Sequence, residues 1–567
     1  MVNNVENSFI AASFPMFLAN ATSSETTRLN RMSQNQLTHG HFNAELIIGL
    51  VAPVGAETYL VRGTLEETLQ LAGYRVEHIK ISRDVIPTFV DVEVDETDRF
   101  SRYRELMNAG NQCRSRVESA EILGKGAAFA ISKFRAEQNE MDSDGAGYGS
   151  SLDGSLPKTA FIIDSLKRPE EVNVLRIIYS TGFVLLGIHE ESHRRKQYLK
   201  KTCGMSEEQA QELIDTDREE IDDKYGQRVN ETFHLADCFV ELIGDHDRLR
   251  CDIRRIVELC FGNPFLTPTF DEMAMFQAFA SALRSADLSR QVGAVIARDE
   301  QILATGANDC PRAGGGLYLP RRDPASGCIG DQANGRDYMR ESDGHNGCDS
   351  NRVEQLRILG KLADRLRETL ASRLDDETKG IDKADLIAML DHDEIQGLTE
   401  YGRVVHAEMD ALLSCGRQGI KTTGATLYST TFPCHNCAKH LIAAGVDRVV
   451  YVEPYSKSRA MEFHTDSIAT SGQSADNRKE KVLFEPFVGV GPRRFFEFFS
   501  MKLGSSYDLQ RKVKETGAKK DWDLSTALLR LQMKPVSYLH FEQLAASEFG
   551  KQLPAQDESR ESRSRRT

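Results

Sequence analysis

The chain has 567 residues, of which 40% are hydrophobic and 28% charged, and its net charge is −14. Its length predicts about two to four domains, and its acidic balance argues against non-specific binding to nucleic acid, which depends on Lys and Arg neutralising phosphates. Eleven cysteines are scattered through the chain. In a chain this long they favour reduced thiols plus a metal site over a disulfide framework.

The sequence contains no stretch of the roughly 18–20 apolar residues that a membrane span requires. The mildly apolar segment 9–18 lacks a basic start and contains Pro15, so it does not have the features of a signal peptide. We therefore predict a cytoplasmic protein without membrane contact.

The first half of the chain has the pattern of an α/β domain. Residues 1–43 are rich in Asn, Ser and Thr, which predicts a flexible lead-in. Buried strands predicted at 45–52, 159–163 and 183–188 alternate with helical segments, which favours a parallel sheet over residues 44–262. Thr64-Leu65-Glu66-Glu67 has the pattern of a capping box and predicts a helix that begins there.

The second half predicts another α/β domain. Gly262-Asn263-Pro264 marks a boundary, and the core of a three-layer α/β/α domain is predicted over 268–500. An insertion at about 309–401 interrupts it, with a helical pattern in its later part. Residues 501–567 are predicted to be mostly helical, with a charged tail.

The segment between the first predicted strand and helix contains a degenerate phosphate-binding loop, with Gly55 in the turn and Thr58 where a P-loop has its lysine. Glu57 would repel a phosphate. The domain resembles the small P-loop nucleotide kinases over about 200 residues, yet the lost loop residues argue against phosphoryl transfer. A nucleotide-binding or sensing domain is the preferred interpretation, and a purely structural α/β domain is the alternative.

The most informative motif is His406-Ala407-Glu408 followed by Pro433-Cys434-His435-Asn436-Cys437. It matches the H-x-E…P-C-x-x-C signature of zinc deaminases. Three ligands (His406, Cys434 and Cys437) leave one tetrahedral position for water. Glu408 is then predicted to move a proton from that water to the departing ammonia.

Two other interpretations of this motif are open. His435 or His440 could supply a fourth ligand and close a structural zinc site. Alternatively, the Cys-x-x-Cys pair could be redox-active, although such a motif does not require the upstream His-Ala-Glu.

The flanking segments indicate the kind of deaminase. The motifs are RSAD at 284–287, QVGAVI at 291–296, ATGAN at 304–308, TFPCHNCAK at 431–439 and AAGV at 443–446. This series resembles the deoxycytidylate deaminases. The resemblance implies that Asn308 contacts the substrate sugar and base, that Arg284 and Ser285 lie near its phosphate, and that Tyr455 borders the pocket. A turn-forming role is the alternative for Asn308.

The whole arrangement resembles the bacterial anti-phage dCTP deaminases. That resemblance implies zinc-dependent conversion of dCTP, and often dCMP, to deoxyuridine nucleotides, with water as co-substrate, depleting a DNA precursor during infection. It also implies a regulatory kinase-like domain with a nucleotide ligand, and restraint by a small inhibitory RNA. A homo-oligomer is expected by analogy with this fold.

The insertion holds two further candidate features. Cys310, Cys328, His345 and Cys348 could form a second metal site, although residues this far apart are more often unrelated. A triphosphate needs extra cations, for which the candidates are Arg312, Arg321, Arg322 and Arg336.

Two rival functions are weighed against this prediction. One is deamination of bases within RNA or DNA, which would require a basic, aromatic-lined groove. The other is a non-enzymatic, nucleotide-sensing regulator in which the zinc is structural.

Overall fold

The computed structural model describes residues 44–90, 98–143, 154–218, 225–330, 335–339, 347–371, 382–391, 395, 398, 401–455, 458–472, 480–503, 507–533 and 535–553. The predicted lead-in 1–43, the charged tail and His345 lie outside these residues.

The first domain is built on a six-stranded sheet of order β14-β5-β4-β1-β3-β2, in which β1 to β5 are parallel and β14 is antiparallel. Its central strand β1 is buried throughout, as expected for a parallel strand covered on both faces. The strands are β1 (Leu46–Val51), β2 (Arg75–Lys80), β3 (Thr159–Asp164), β4 (Phe183–His189), β5 (Cys238–Glu241) and β14 (Gly489–Val490).

Helices cover both faces of this sheet. Val61 of α1 packs with Ile48 on one face, whereas Leu175 of α5 packs with Ile47 on the other. The helices are α1 (Thr58–Leu71), α2 (Ile86–Phe89), α3 (Arg99–Val117), α4 (Ile122–Ser143), α5 (Pro169–Tyr179), α6 (Ser192–Lys201), α7 (Glu207–Arg218), α8 (Val229–Phe233) and α9 (His246–Cys260).

The predicted helix start at Thr64 is wrong. Helix α1 begins at Thr58, directly after the loop that follows β1. The Thr64 hydroxyl donates to the Leu60 carbonyl inside the helix. The residues that match a capping box therefore lie in the interior of the helix and do not begin it.

The second domain is a three-layer arrangement around a mixed sheet of order β12-β13-β11-β10-β6-β7. Helix α10 packs on one face through Met275 and Ala278, and α13 and α14 pack on the other through Ala411 and Leu441. The strands are β6 (Gly293–Arg298), β7 (Gln301–Ala307), β10 (Ala425–Thr431), β11 (Val446–Glu453), β12 (Ile468–Thr470) and β13 (Val482–Pro486). The helices are α10 (Phe270–Ala282), α13 (Ala407–Gln418), α14 (His435–Ala443), α15 (Ala460–Phe463) and α16 (Phe495–Phe499).

The insertion lies between β7 and α13. It contains the short pair β8 (Arg321–Arg322) and β9 (Ile329–Gly330), followed by α11 (Ser350–Ala371) and α12 (Lys383–Leu390). The helical pattern predicted for its later part is confirmed by α11.

The end of the chain completes the first domain. Helix α17 (Pro535–Gln552) packs on α4, and Arg135 of α4 forms buried ion pairs with Glu542 of α17 and with Glu45. Residues 507–533 contain no helix. The prediction of a mostly helical region after residue 500 is therefore wrong for this part. Their apolar side chains, such as Leu529 and Leu531, instead insert into the first domain's core.

The described residues contain neither a membrane-spanning helix nor a disulfide. None of their helices combines the length and apolar character needed to cross a bilayer. All eleven cysteines lie among them, and each is free of a disulfide.

Candidate active site

The three predicted zinc ligands lie at the N-termini of two helices. His406 immediately precedes α13, and Cys434 immediately precedes α14, where its Sγ accepts the Cys437 amide N–H at 3.4 Å. The positive end of a helix stabilises a thiolate. A hydrogen bond between the Cys434 and Cys437 side chains lowers the pKa of Cys434, which favours the thiolate form that binds a cation.

The distances within this group fit zinc. The His406 Nδ1 atom lies 3.4 Å from the Sγ atoms of both Cys434 and Cys437, and all three ligand atoms lie within 4.8 Å of one another. Zinc–nitrogen and zinc–sulfur bonds in a tetrahedron place N and S about 3.6 Å apart. The predicted ligand set is therefore brought together as a zinc site.

A fourth protein ligand is not present among the described residues. The metal-binding group contains three members only. His435 lies against the Phe463 ring, with 5.9 Å between the ring centroids, and His440 is exposed. The arrangement matches an open site better than a closed structural one.

Glu408 lies in the first turn of α13, beside the ligands. It is 4% exposed, and burial raises the pKa of its carboxyl group. The helix that carries it approaches the sheet closely at Gly306 of β7, where a Cβ atom would lie 2.0 Å from the Ala407 carbonyl oxygen. A glycine at this position therefore allows α13 to hold Glu408 and His406 in place.

These residues line a cavity of about 630 Å³, within the usual range for small-molecule sites. Among its lining residues, Glu408 and Cys434 are buried and His406 is half-buried. Val292, Phe432 and Tyr455 contribute apolar and aromatic surface. The cavity can therefore hold a flat, partly apolar group next to the zinc ligands.

The structure brings two of the predicted substrate residues into this cavity. Asn308 lines it, and its amide also connects two segments: Oδ1 accepts the Val292 N–H at 2.6 Å, and Nδ2 donates to the Arg290 carbonyl at 2.7 Å. Tyr455 lines it too, with the Arg290 guanidinium 4.8 Å from its ring centroid. Their contacts with a substrate stay predictions.

The other two predicted substrate residues lie elsewhere. Arg284 points to Asp410, with 3.5 Å between its NH2 and Oδ2, and the buried Ser285 hydroxyl accepts the Asp287 N–H. Neither is among the residues that line the cavity. Arg290, which follows the turn after α10, does line the cavity, and the phosphate role of Arg284 and Ser285 stays a prediction.

Residues of the insertion also line the cavity, and no motif in the chain indicates them. They come from the start of α11 and the residue before it: Asp349, Asn351, Arg352 and Gln355. The four arginines considered for a triphosphate are not among the lining residues. Arg336 is buried against Asp309 at 3.0 Å, and Arg321 and Arg322 lie exposed on β8.

The second metal site is not assembled by its described members. Cys310 is buried, whereas Cys328 and Cys348 are exposed, and the three do not gather as a metal-binding group. Because His345 lies outside the described residues, the four-residue site stays a prediction.

The loop at Gly55 and Thr58 is bound by the chain's own carboxylates. Asp217 accepts the Val54 N–H at 2.6 Å, and Glu190 accepts the Glu57 N–H at 3.0 Å. Asp217 is in turn bound by the Lys167 ammonium at 2.7 Å. Two amide donors that a phosphate-binding loop would use are thus occupied, and the phosphate role of Gly55 and Thr58 stays a prediction.

The second domain thus brings together a His/Cys/Cys ligand set. A family model described as "Cytidine and deoxycytidylate deaminase zinc-binding region" matches residues 268–453. This carboxy-terminal part of the chain is a deoxycytidylate deaminase-type zinc domain.

Individual relatives match this part of the chain. The deoxycytidylate deaminase of Mycobacterium phage D29 is 29% identical over 184 residues, which cover 32% of this chain and 94% of that protein. ComE operon protein 2 of Bacillus subtilis (strain 168) is 47% identical over 53 residues, 9% of this chain and 28% of that protein. The matches to the first three curated relatives span less than a third of those proteins.

Among solved structures, the dCMP deaminase of the cyanophage S-TIM5 in complex with dCMP and dUMP aligns over 39% of this chain and 100% of that chain. The sequence identity is 17% and the TM-score is 0.21.

Proposed function

We propose that this protein hydrolytically deaminates deoxycytidine nucleotides, releasing ammonia and leaving the corresponding deoxyuridine nucleotide. The observation that carries the proposal is the buried Glu408 beside three converging zinc ligands, in a cavity large enough for a nucleotide. The match of residues 268–453 to the cytidine and deoxycytidylate deaminase zinc-binding region supports the choice of base, and the similarity to deoxycytidylate deaminases supports the choice of sugar.

The residues of the site divide the chemistry between them. His406, Cys434 and Cys437 would hold a zinc ion, which would supply a lowered pKa for a bound water. Glu408 accepts a proton from the attacking water and delivers it to the departing amino group, so that its charge is restored at the end of the cycle. Its burial, which raises its pKa, suits a group that must both accept and release a proton.

The substrates in this proposal are dCTP and dCMP. Turnover of dCTP would remove a precursor of DNA, and the resemblance to anti-phage deaminases supports a role in defence. The first domain then acts as a sensing or regulatory unit, because its loop amides are occupied by Asp217 and Glu190 and are not arranged for phosphoryl transfer.

The test is a deamination assay on the purified full-length chain with dCTP, dCMP, deoxycytidine, CTP and a cytosine-containing oligonucleotide, each supplied separately. Products are separated by chromatography. We expect deoxyuridine nucleotides from dCTP or dCMP.

The matched variant is Glu408→Gln, which keeps the size of the side chain and removes its proton-carrying function. We expect kcat to fall by about 10²- to 10⁴-fold, with an unchanged zinc content by metal analysis. Conversion of the oligonucleotide alone would favour a nucleic-acid deaminase. An unchanged rate in Glu408→Gln would exclude the assigned role of this residue.

A further inference from the structure

The first domain contains a cavity of its own, of about 190 Å³, at the carboxyl ends of its central strands. Its lining residues come from the loop after β1, the ends of β2 and β3, and the helices α2, α3 and α4. Open parallel sheets bind ligands outside the carboxyl ends of their strands. The cavity shares no lining residue with the catalytic one, so it is a separate candidate site.

The polar part of this cavity is positively charged, although the whole chain has a net charge of −14. Among the described residues that line it, Asp164 is the single acid and four are cationic: Lys80, Arg102, Arg114 and Lys167. Asp164 lies 3.6 Å from the Arg62 guanidinium, so it opposes a bound anion less than a free carboxylate would. This part of the cavity therefore suits an anionic group of a ligand.

The cations differ in what they already bind. Arg114 donates to Glu171 at 2.7 Å, and Lys167 donates to Asp217 at 2.7 Å. Lys80 differs, because its ammonium group forms no ion pair with any described carboxylate. It is half-buried at the end of β2. Lys80 is therefore the cation best placed to bind an anion that enters the cavity.

The loop after β1 limits how much phosphate the cavity can hold. Its Val54 and Glu57 amides are bound by Asp217 and Glu190, whereas a phosphate chain on such a loop relies on free backbone N–H donors. The cavity also has less than a third of the volume of the catalytic cavity, about 190 against 630 Å³. Side-chain cations must therefore hold the anion, and the room suits one phosphate group and no chain.

The rest of the wall is apolar. Ile86 of α2, Met107 of α3 and Leu123 of α4 line it, and so does the Tyr103 ring. An apolar wall with a few polar groups at one side is the usual setting of a small-molecule site. The cavity thus offers a surface for a flat ring next to cations for an anion.

We propose that this cavity of the first domain binds a nucleoside monophosphate, with the base against Ile86, Met107 and Leu123 and the phosphate beside Lys80. A ring that carries a single phosphate is the chemistry that such a ligand presents. The inference gives a ligand site to the domain for which we propose a sensing role, and it does not depend on deamination by the second domain.

The experiment is calorimetry on the full-length chain. The probes are dTMP and dAMP, each compared with its nucleoside and its triphosphate. We expect at least one monophosphate to bind, and its nucleoside to bind about tenfold more weakly or worse because it lacks the charged group. The triphosphate should bind no more tightly than the monophosphate, since the loop amides are occupied.

Gly110→Leu is the variant that fills the cavity. Gly110 lines it, and a Cβ atom there would lie 3.6 Å from Ile86 Cδ1 and 3.8 Å from Leu123 Cδ1, which is ordinary contact. Because a glycine inside a helix such as α3 is destabilising, the thermal midpoint should be at or above that of wild type. Binding of the monophosphate to the first domain should be lost.

Lys80→Met tests the phosphate contact. Losing one charge-assisted contact should raise the Kd of the monophosphate about tenfold to a hundredfold and leave the binding of the nucleoside unchanged. The control is Lys133→Met, because Lys133 on α4 is 67% exposed and does not line the cavity. Its binding constants should match those of wild type.

The catalytic cavity can also take a nucleotide, so only binding that Gly110→Leu removes or Lys80→Met weakens belongs to the first domain. If neither variant changed the binding of dTMP or dAMP, or if wild type bound neither, the proposed site would be overturned. A triphosphate bound about tenfold more tightly than its monophosphate at this site would overturn the single-phosphate assignment. If Gly110→Leu lowered the thermal midpoint, Lys80→Met would decide alone. Wild type without deaminase activity would overturn the function of the second domain and leave this test unchanged.

Discussion

The two domains place a loop and a helix N-terminus at the carboxyl end of a parallel strand, and they use this position in opposite ways. In the second domain, the loop after β10 leads into α14 and presents Cys434 and Cys437 next to an open cavity. In the first, the loop after β1 leads into α1, and its amides are bound by Asp217 and Glu190. A strand–loop–helix unit therefore forms a binding site only where the backbone N–H groups of its loop are not already bound by the protein's own side chains.

The largest expected effect comes from removing a zinc ligand in the second domain. Cys437→Ala removes one of three zinc ligands, so we expect loss of bound zinc and loss of detectable deamination, because the metal-activated water is no longer formed. Metal analysis and the deamination assay measure both. The second domain should also lose stability, since metal binding contributes to folding.

The single tryptophan of the chain supplies the control for this variant. Trp522 donates to the Phe261 carbonyl and packs against the first domain, so its fluorescence reports on that domain. Its emission should be unchanged in Cys437→Ala. Full retention of zinc in this variant would show that Cys437 is not a ligand.

A smaller but substantial effect should come from the first domain's buried charges. Arg135 lies between Glu45 and Glu542, and all three are buried. Arg135→Met would leave two carboxylates unpaired, which should reduce the free energy of unfolding by about 3–5 kcal/mol. Denaturant titration followed by Trp522 fluorescence measures it.

Glu542→Gln is the matched comparison for that variant. Burial raises the pKa of Glu542, and a neutral amide still accepts the Tyr179 hydroxyl hydrogen bond that Glu542 accepts at 2.7 Å. We expect a loss of about 1 kcal/mol. Equal losses in both variants would mean that the ion pairs contribute no more than a neutral hydrogen bond.

The smallest expected effect comes from removing a carboxylate that binds the loop after β1. Asp217→Ala frees the Val54 amide and leaves Lys167 without this carboxylate, so we expect a loss of about 1–3 kcal/mol in stability. We also expect weak binding of inorganic phosphate, detected as a thermal shift that wild type lacks. The exposed Asp215, two residues away on α7 and bound by Gln211, supplies the control Asp215→Ala. If phosphate stabilised wild type and both variants equally, Asp217 would not be what closes the loop.

The zinc ligands could be predicted because their spacing is local to two short motifs. His406 and Glu408 are two residues apart, and Cys434 and Cys437 are three apart at the start of one helix. The first strand was likewise predicted from its continuous apolar run, which is the direct consequence of burial on both faces.

The parts that could not be predicted depend on contacts between distant segments. Arg352 lines the cavity because the start of α11 lies beside it, and nothing in its neighbouring residues indicates this position. The positions of Arg284 and Ser285 depend on a similar arrangement: a match in motif gives the region, whereas the turn after α10 decides which side chains line the cavity. The capping-box pattern at Thr64 failed because its residues also suit a helix interior.

The closure of the first domain by the end of the chain sets an order for its folding. Tyr538 donates to Glu45 across 493 positions of sequence, and β14 forms the edge of the sheet beside β5. During synthesis, an apolar face and a strand edge of the first domain therefore stay exposed until the whole second domain has been made. A fragment that stopped at the boundary near residue 262 would keep those surfaces exposed, and we expect it to aggregate.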